Sequence, residues 1–332
     1  MMRSTNTKKA LLKALIEKEG KVISGPELCR IAKVSRQSVW KAVDSLRLEG
    51  FEIESVPHKG YRLVESATAD LSPTWLELEL EDCPWGDTVL FWESLGSTQE
   101  PAKELAKQGA PEGLLVLAAE QTSGRGRLGR KWLSPQEGSI CFSIIVRPNL
   151  VPGRIQLLSF AAAIAVHETL ETEFGVDFEL KWPNDILFQG AKVCGILTEA
   201  SSEPGHVHFA VTGIGLNANI DPRSIAMDVA GDSTSLLAIL GHPVHRGKVI
   251  ASIVRIMEKQ VRLLETPEGG KKCIESYLRR CSTIGREVIL SHEGEPLRGK
   301  SVGISDSGEI ILEIGGLRRS FAAADIRHLR NF

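Results

Sequence analysis

Residues 124–132 read GRGRLGRKW: Gly124, Gly126 and Gly129 are interleaved with Arg125, Arg127 and Arg130, and Lys131 and Trp132 close the run. The first six residues match the dinucleotide-binding pattern GxGxxG and follow an apolar stretch, Leu114–Glu120, that reads as a strand. That pattern functions only where a helix starts at once to receive a pyrophosphate and an acidic side chain about 20 residues on holds a ribose hydroxyl. Here Pro135 breaks any helix early, and the next strand ends in Arg147-Pro148-Asn149 with no acid. The context therefore rejects a Rossmann fold. What remains is a loop whose glycines let the backbone approach a ligand closely. Four cations within seven residues suit an anion, and Trp132 adds a large flat ring. An anionic substrate with a planar or apolar body fits, such as a nucleotide or an activated carboxylate. The composition predicts a loop that stays mobile until ligand orders it.

A second cluster, residues 181–186, reads KWPNDI. Pro183 ends a strand there, and Asn184 and Asp185 suit the turn that follows. Asp185 also offers an oxygen ligand for Mg²⁺. Lys192 opens the next strand, Val193-Cys194-Gly195-Ile196-Leu197. Further on, residues 294–301 match the phosphate-binding pattern GxxxxGK[ST], but a strand and a Gly308 turn follow instead of a helix. The match is thus a hairpin and no phosphate cradle.

The pattern of elements is α+β in several domains. Asn6 or Thr7 is placed to cap a helix with Leu11, Leu12, Leu15 and Ile16 on its apolar face. Ser24 with Glu27 caps a second helix to about Ala32. After a two-residue turn Ser35 caps a third, with Val39, Val43 and Leu46 at helical spacing and Gly50 as its stop. Residues 51–56 and 61–64 alternate around a turn as a hairpin. That order is a winged helix-turn-helix. Arg36, Gln37 and Lys41 then face base edges, while Lys59, Arg62 and His58 in the wing face phosphates. Trp40 borders the apolar face and either packs there or meets a partner. Residues 1–66 carry 13 Lys and Arg against 8 Asp and Glu, a net of +5, whereas the rest carries 27 against 34, a net of −7. The asymmetry favours a polyanionic partner for the first segment. Residues 67–87 read as an acidic connector with a short helix over 74–80. Residues 88–280 alternate strands and helices around a mixed sheet. Residues 281–332 form short strands that predict a small barrel.

The 332 residues suffice for two or three domains. With 42% hydrophobic and 25% charged residues the chain is an ordinary globular one. The longest nearly apolar stretch, Leu157 to Val166, is about half of what a bilayer span needs. The charged N-terminus lacks a signal-peptide core, and six scattered cysteines without a CxxC pair suit reduced thiols in a cytosol.

GRGRLGRKW, KWPNDI, Lys192 and Gly213-Ile214-Gly215-Leu216-Asn217 together resemble the biotin–protein ligases. The winged helix in front resembles the bifunctional kind, ligase and biotin operon repressor in one chain. The resemblance implies a catalytic domain similar to that of class II aminoacyl-tRNA synthetases and a C-terminal SH3-like barrel. It implies that biotin and ATP, with Mg²⁺, give biotinyl-5′-AMP, and that a lysine of the biotin carboxyl carrier protein then takes the biotin. The adenylate doubles as corepressor on operator DNA, bound by a homodimer; no membrane is involved. By the resemblance, Lys192, Arg127 and Arg125 are catalytic. Biotin is met by Ser97, Thr98, Gln99, Gln121, Gly124, Arg125, Gly126, Arg127, Trp132 and Lys192. Arg127, Arg130, Trp132, Asn184 and Asn217 meet ATP and the adenylate. The family usually has Asn where this chain has Gln99, a methylene longer beside the ureido site. Two other functions stay open at this point: a ligase without a repressor role, and an enzyme similar to lipoate–protein ligase.

Overall fold

The computed structural model describes residues 2–18, 20–64, 69–134, 138–221, 233–292, 295–322 and 325–328. The first helix, α1 (Met2–Glu17), buries Leu11, Leu12 and Leu15 but leaves Ile16 39% exposed. It begins ahead of Asn6 and Thr7, the expected caps, because no Gly or Pro between them and Met2 stops it. In α2 (Gly25–Ala32) the Ser24 hydroxyl accepts the Glu27 N–H at 3.3 Å. In α3 (Arg36–Leu48) the Ser35 hydroxyl accepts the Ser38 N–H at 3.2 Å, and Val39, Val43 and Leu46 are buried. Strands β1 (Ile53–Val56) and β2 (Gly60–Leu63) pair antiparallel with Ile53 opposite Leu63. A Cβ at Gly60 would lie 1.9 Å from the Ile23 carbonyl oxygen. Only glycine lets this hairpin press against the strand-like residue Ile23, which bridges Tyr61.

The segment expected as a connector is built into the core instead. Ser72 caps α4 (Pro73–Glu79), and Trp75, Leu76, Leu80 and Trp85 are buried. These four large side chains cannot stay in water without losing a few kcal/mol each, so the segment packs. Its first turn is tied to the end of α3. The Glu49 carboxylate accepts from the Ser72 hydroxyl at 2.6 Å and from the Thr74 N–H at 3.0 Å.

The central sheet comprises β3 (Val89–Leu95), β4 (Leu115–Arg125), β5 (Lys131–Ser134), β6 (Ser139–Val146), β7 (Glu179–Lys181), β8 (Asp185–Phe188), β9 (Ala191–Glu203) and β10 (His206–Asn217). Its order is β3-β4-β6-β10-β9-β8-β7, with β5 paired to β4 off that path. Among the described strands, β3 and β4 are the parallel pair, joined by the crossover helix α5 (Gln99–Lys107). Behind the sheet lies α6 (Gln156–Phe174), buried at thirteen of its nineteen residues and hence the centre of the core. The short α7 (Leu236–Leu240) has too few residues to show periodicity in the sequence. α8 (Arg246–Leu264) and α9 (Gly269–Leu278) pack on α6.

The C-terminal unit, expected as a small barrel, is an antiparallel sheet of β11 (Glu287–His292), β12 (Glu295–Ile304), β13 (Ile310–Ile314), β14 (Leu317–Phe321) and β15 (Asp325–His328) in the order β14-β13-β12-β11-β15. Gly299, Lys300 and Ser301 of the phosphate-like pattern sit inside β12, with no helix after them. This sheet braces the KWPNDI turn: the Trp182 N–H donates to the Thr283 hydroxyl at 3.1 Å and its indole N–H to the Gly308 carbonyl at 3.0 Å. No helix of the described residues is long and apolar enough to cross a membrane, and all six cysteines are free.

His167 on α6 carries a prediction. Its Nε2 lies 2.8 Å from the Phe178 carbonyl, which can only accept, so Nε2 bears the proton. Its Nδ1 is buried without a hydrogen bond among the described residues, with the Glu171 carboxylate 3.7 Å away. Burial holds the His167 pKa below the ordinary 6.5, against the upward pull of the Phe178 bond and Glu171 and with Arg280 adding to the depression. The unfolded chain takes up the proton near 6.5 and the folded ring only at lower pH. Unfolding therefore binds a proton, and stability falls as pH drops below 6.5. Urea midpoints measured at about pH 7.5 and about pH 5.5 should differ less in His167→Gln than in the wild type. An equal drop in both would remove His167 from the cause.

Candidate active site

A cavity of about 400 Å³ opens over one face of the central sheet. The β4–β5 hairpin, the turn at the end of β3, the β7–β8 turn and the middles of β9 and β10 enclose it. GRGRLGRKW is thus no open loop, as its glycines suggested. It is a hairpin with Gly124 opposite Trp132 and Arg125 opposite Lys131, bulged between Gln121 and Gly124. A Cβ at Gly124 would lie 2.6 Å from the Trp132 carbonyl oxygen, so this glycine serves strand approach and does not itself line the cavity. At the tip, Leu128 (φ 54°) and Gly129 (φ 74°) make the left-handed reversal.

The floor is made of glycines. Gly195 of β9 and Gly215 of β10 are cross-strand partners, and a Cβ on Gly215 would come within 2.4 Å of the Trp132 ring. Where these two glycines face each other the sheet leaves a flat patch beside the Ile196–Ile214 pair, and the Trp132 indole lies against it. Its ring N–H is buried with no hydrogen-bond partner among the described residues.

The walls are cationic. Arg125, Arg127, Arg130, Lys131, Lys181 and Lys192 line the cavity, six cations against one carboxylate, Asp185. Lys192 reaches Asp185 at 2.6 Å and lies 5.6 Å from the Trp132 ring centre. Arg125 donates to Glu100 at 2.8 Å at the exposed rim. Arg127 is half-buried, 5.9 Å from the Trp182 ring centre, and its Nη1 is buried with no hydrogen-bond acceptor among the described residues. Burial lowers its pKa from the ordinary value, against the opposing pull of Asp185. The amides of Asn184 and Asn217 hold backbone, donating to the Ile196 carbonyl at 2.6 Å and the Thr234 carbonyl at 3.0 Å. No group of three or more His, Cys, Asp or Glu able to hold a metal exists among the described residues. Asp185 is the one carboxylate among the residues lining the cavity.

The closed end is neutral and polar. Ser97, Thr98 and Gln99 are all buried, with at most 5% exposure. The Gln121 carbonyl oxygen accepts the Thr98 N–H at 2.8 Å. Gln99 reaches the wall, but its amide nitrogen donates to Glu199 at 3.0 Å and its oxygen accepts from Ser143 at 2.9 Å. Lys181 lay in the KWPNDI cluster without a role of its own, and sequence reasoning missed Ser143, Gly195 and Ile326 as parts of the site. The alternate glycines of β10 and the facing Gly195 were a usable signal. Ile326 comes from the C-terminal sheet and gave none.

On α3, Arg36, Gln37, Trp40 and Lys41 share one exposed face, and Trp40 is 54% exposed, so it does not pack in the core. Lys59 is exposed in the β1–β2 turn. Arg62 is not an unopposed cation, because the Glu54 carboxylate accepts from its guanidinium across the hairpin.

Residues 92–217 match the biotin/lipoate A/B protein ligase family, 7–62 a helix-turn-helix domain and 283–329 the biotin protein ligase C-terminal domain. The chain is 36% identical to the bifunctional ligase/repressor BirA of Bacillus subtilis (strain 168), over 97% of this chain and 98% of that one. The chain belongs to the biotin/lipoate A/B protein ligase family. Within the family, the full-length match and the helix-turn-helix put it with the bifunctional ligase/repressors. The biotin–[acetyl-CoA-carboxylase] ligase of Mycobacterium tuberculosis is 33% identical over 71% of this chain and 86% of its own. The biotin protein ligase of Aquifex aeolicus, solved with biotin and ATP, superposes with a TM-score of 0.62 at 29% identity, covering 73% of this chain and 99% of that one.

Proposed function

We propose that the chain activates biotin with ATP in this cavity and passes the biotinyl group to a lysine of the biotin carboxyl carrier protein. In the adenylate-bound form it represses the biotin operon as a homodimer on operator DNA, in the cytosol. The observation that carries the reading is the slot itself: a glycine floor, six lining cations and one carboxylate, closed at one end by neutral polar groups.

In the first step a biotin carboxylate oxygen attacks the α-phosphorus of ATP. An O–P bond forms, the bond to the β-phosphate bridge breaks, and pyrophosphate leaves with the electron pair. Two anions at 4 Å repel by about 1 kcal/mol in water and by about 4 kcal/mol at an effective dielectric of 20. Fixed cations remove that barrier and stabilise the charge that builds on the phosphoryl oxygens. Lys192 and Arg127 are the two placed inside, and Arg125 and Arg130 stand at the mouth. Mg²⁺ carried by ATP would shield phosphate charge, with Asp185 as its wall ligand. In the second step a neutral lysine amine of the carrier attacks the anhydride carbonyl. A C–N bond forms, AMP leaves, and the amine proton passes to solvent. The chain needs no nucleophile of its own. At the closed end Ser97, Thr98 and Gln121 hold the ureido group, whose polar atoms would be costly to bury unpaired.

The test is biotin-dependent exchange of labelled pyrophosphate into ATP, with lipoate in parallel. Exchange with biotin alone is expected. Exchange with lipoate alone would keep the fold and overturn the substrate; exchange with neither would leave a sensor.

The repressor half rests on the exposed α3 face. Replacing Arg36, Gln37 and Lys41 together by Ala should weaken operator binding by at least about a hundredfold, since each base contact is worth roughly 1–3 kcal/mol. The slope of affinity against salt should fall too, as cations leave the interface. Sedimentation with adenylate bound should show a dimer. Operator binding that is equal in wild type and variant would remove the α3 face from the contact, and a wild type that binds no operator with adenylate present would point to a ligase without a repressor role.

A further inference from the structure

Behind the closed end of the cavity lies a chain of polar groups that the reaction does not use. The Gln99 amide nitrogen faces three oxygens: Glu199 at 3.0 Å, the Leu197 carbonyl at 3.3 Å and the Val211 carbonyl at 3.5 Å. A nitrogen must stand there, so the amide orientation is fixed. Lys103, 2.8 Å from Glu199, holds that carboxylate in place. The Gln99 oxygen then faces the Ser143 hydroxyl at 2.9 Å and can only accept. Ser143 has a single proton and spends it on Gln99. The contact between Ser143 and Thr98 hydroxyls, 2.8 Å long, must therefore run from Thr98 to Ser143. The competing acceptor for the Thr98 proton, the Gln121 oxygen, is farther at 3.1 Å and already takes the Thr98 N–H. Gly213 leaves room for the pair: a Cβ there would sit 3.0 Å from the Gln99 oxygen and 3.3 Å from the Ser143 oxygen.

We infer that Ser143 and Gln99 are positioning residues that turn the Thr98 proton away from the cavity, so that Thr98 meets the ligand as an acceptor for a ureido N–H. Ser143 is fully buried and does not line the cavity, so it acts through Thr98. The chain of bonds is directional and starts at a glutamate on β9, beyond reach of the ligand. It also gives the longer Gln99 side chain a role: its oxygen reaches Ser143 while its nitrogen reaches β9. The inference rests on the reading of the cavity as a biotin site.

The experiment is calorimetric titration with biotin and with the two cyclic carbamates in which one or the other ureido N–H is an oxygen atom. Wild type should bind one carbamate at least about thirtyfold more weakly than biotin, because its ring oxygen would face the Thr98 lone pairs. In Ser143→Ala the Thr98 proton is released and can turn to that oxygen. The biotin-to-carbamate ratio should then fall by about tenfold. Gln99→Met breaks the same chain from the other side and should lower the ratio likewise, which covers the case in which Ser143→Ala folds poorly. A merely structural role would weaken all three ligands equally, and unchanged ratios in both variants overturn the inference. So does a wild type that binds biotin and both carbamates alike. A wild type that does not bind biotin overturns the function reading and this inference together.

Discussion

Replacing Lys192 by Met lowers biotin-dependent pyrophosphate exchange by about a thousandfold, more than the loss of one charge-assisted hydrogen bond alone. The reason lies in its partner. Lys192 stands at the start of β9 with its ammonium 2.6 Å from Asp185 and beside the Trp132 ring over Gly195. An ammonium on a four-carbon stem can swing from Asp185 to a carboxylate or phosphoryl oxygen in the slot. Without it, two things happen at once. The transition state loses a cation, and Asp185 becomes an unopposed anion facing the biotin carboxylate, which no Mg²⁺ shields. Lys192→Met combined with Asp185→Asn should therefore recover part of the lost affinity for biotin while leaving exchange slow. A double variant as weak in biotin binding as Lys192→Met alone would mean that Asp185 does not oppose the substrate. If Lys192→Met changed only the KM for biotin, Lys192 would serve binding and not the chemical step.

The parts of this fold that were legible in the sequence share a cause: their signal is local. Ser24 and Ser35 accept the N–H groups of the residues three positions on because caps act within one turn. The phosphate-like pattern at 294–301 was rejected on its neighbours alone, and the structure has a strand there. What was not legible depends on partners distant in the chain. The glycines of GRGRLGRKW suggested an open loop, but β5 supplies the second strand of a hairpin, and its pairing is set by the bulge at Gln121–Gly124. The segment over 67–87 looked like a connector by its acidity. Trp75 and Trp85 decide otherwise: α4 brings Trp75 against α1 and α8, and Trp85 is buried beside Arg262 of α8. Arg62 was legible as a cation of the hairpin, but its exposed ion pair with Glu54 follows from the β1–β2 register. The site divides the same way. The cations and Trp132 were visible as a cluster. Gln99 looked like a ligand contact, yet both ends of its amide are committed to Glu199 and Ser143, residues 100 and 44 positions away.

Arg127 should show opposite effects on stability and on function. The side chain is half-buried beside the Trp182 ring, and its buried Nη1 has no acceptor among the described residues. A buried donor left unsatisfied costs about 1–3 kcal/mol, and a buried charge costs more unless it is met. Burial lowers the pKa of Arg127, the mark of a cation held where water solvates it poorly. Such an arrangement is retained when the missing acceptor belongs to a ligand, and an adenylate phosphoryl oxygen is the right acceptor. Arg127→Met keeps much of the side-chain volume and removes the charge. Its thermal midpoint should rise by about 2 °C, the shift expected for roughly 1 kcal/mol in a domain of this size. Its affinity for adenylate should fall by about a hundredfold. Adenylate should in turn raise the midpoint of the wild type much more than that of the variant, because ligand binding is linked to stability through its affinity. The two shifts must have opposite signs for the argument to stand. A variant that unfolds at a lower temperature than the wild type would make Arg127 a structural cation, held by Trp182 and Asp185 and not by what enters the slot.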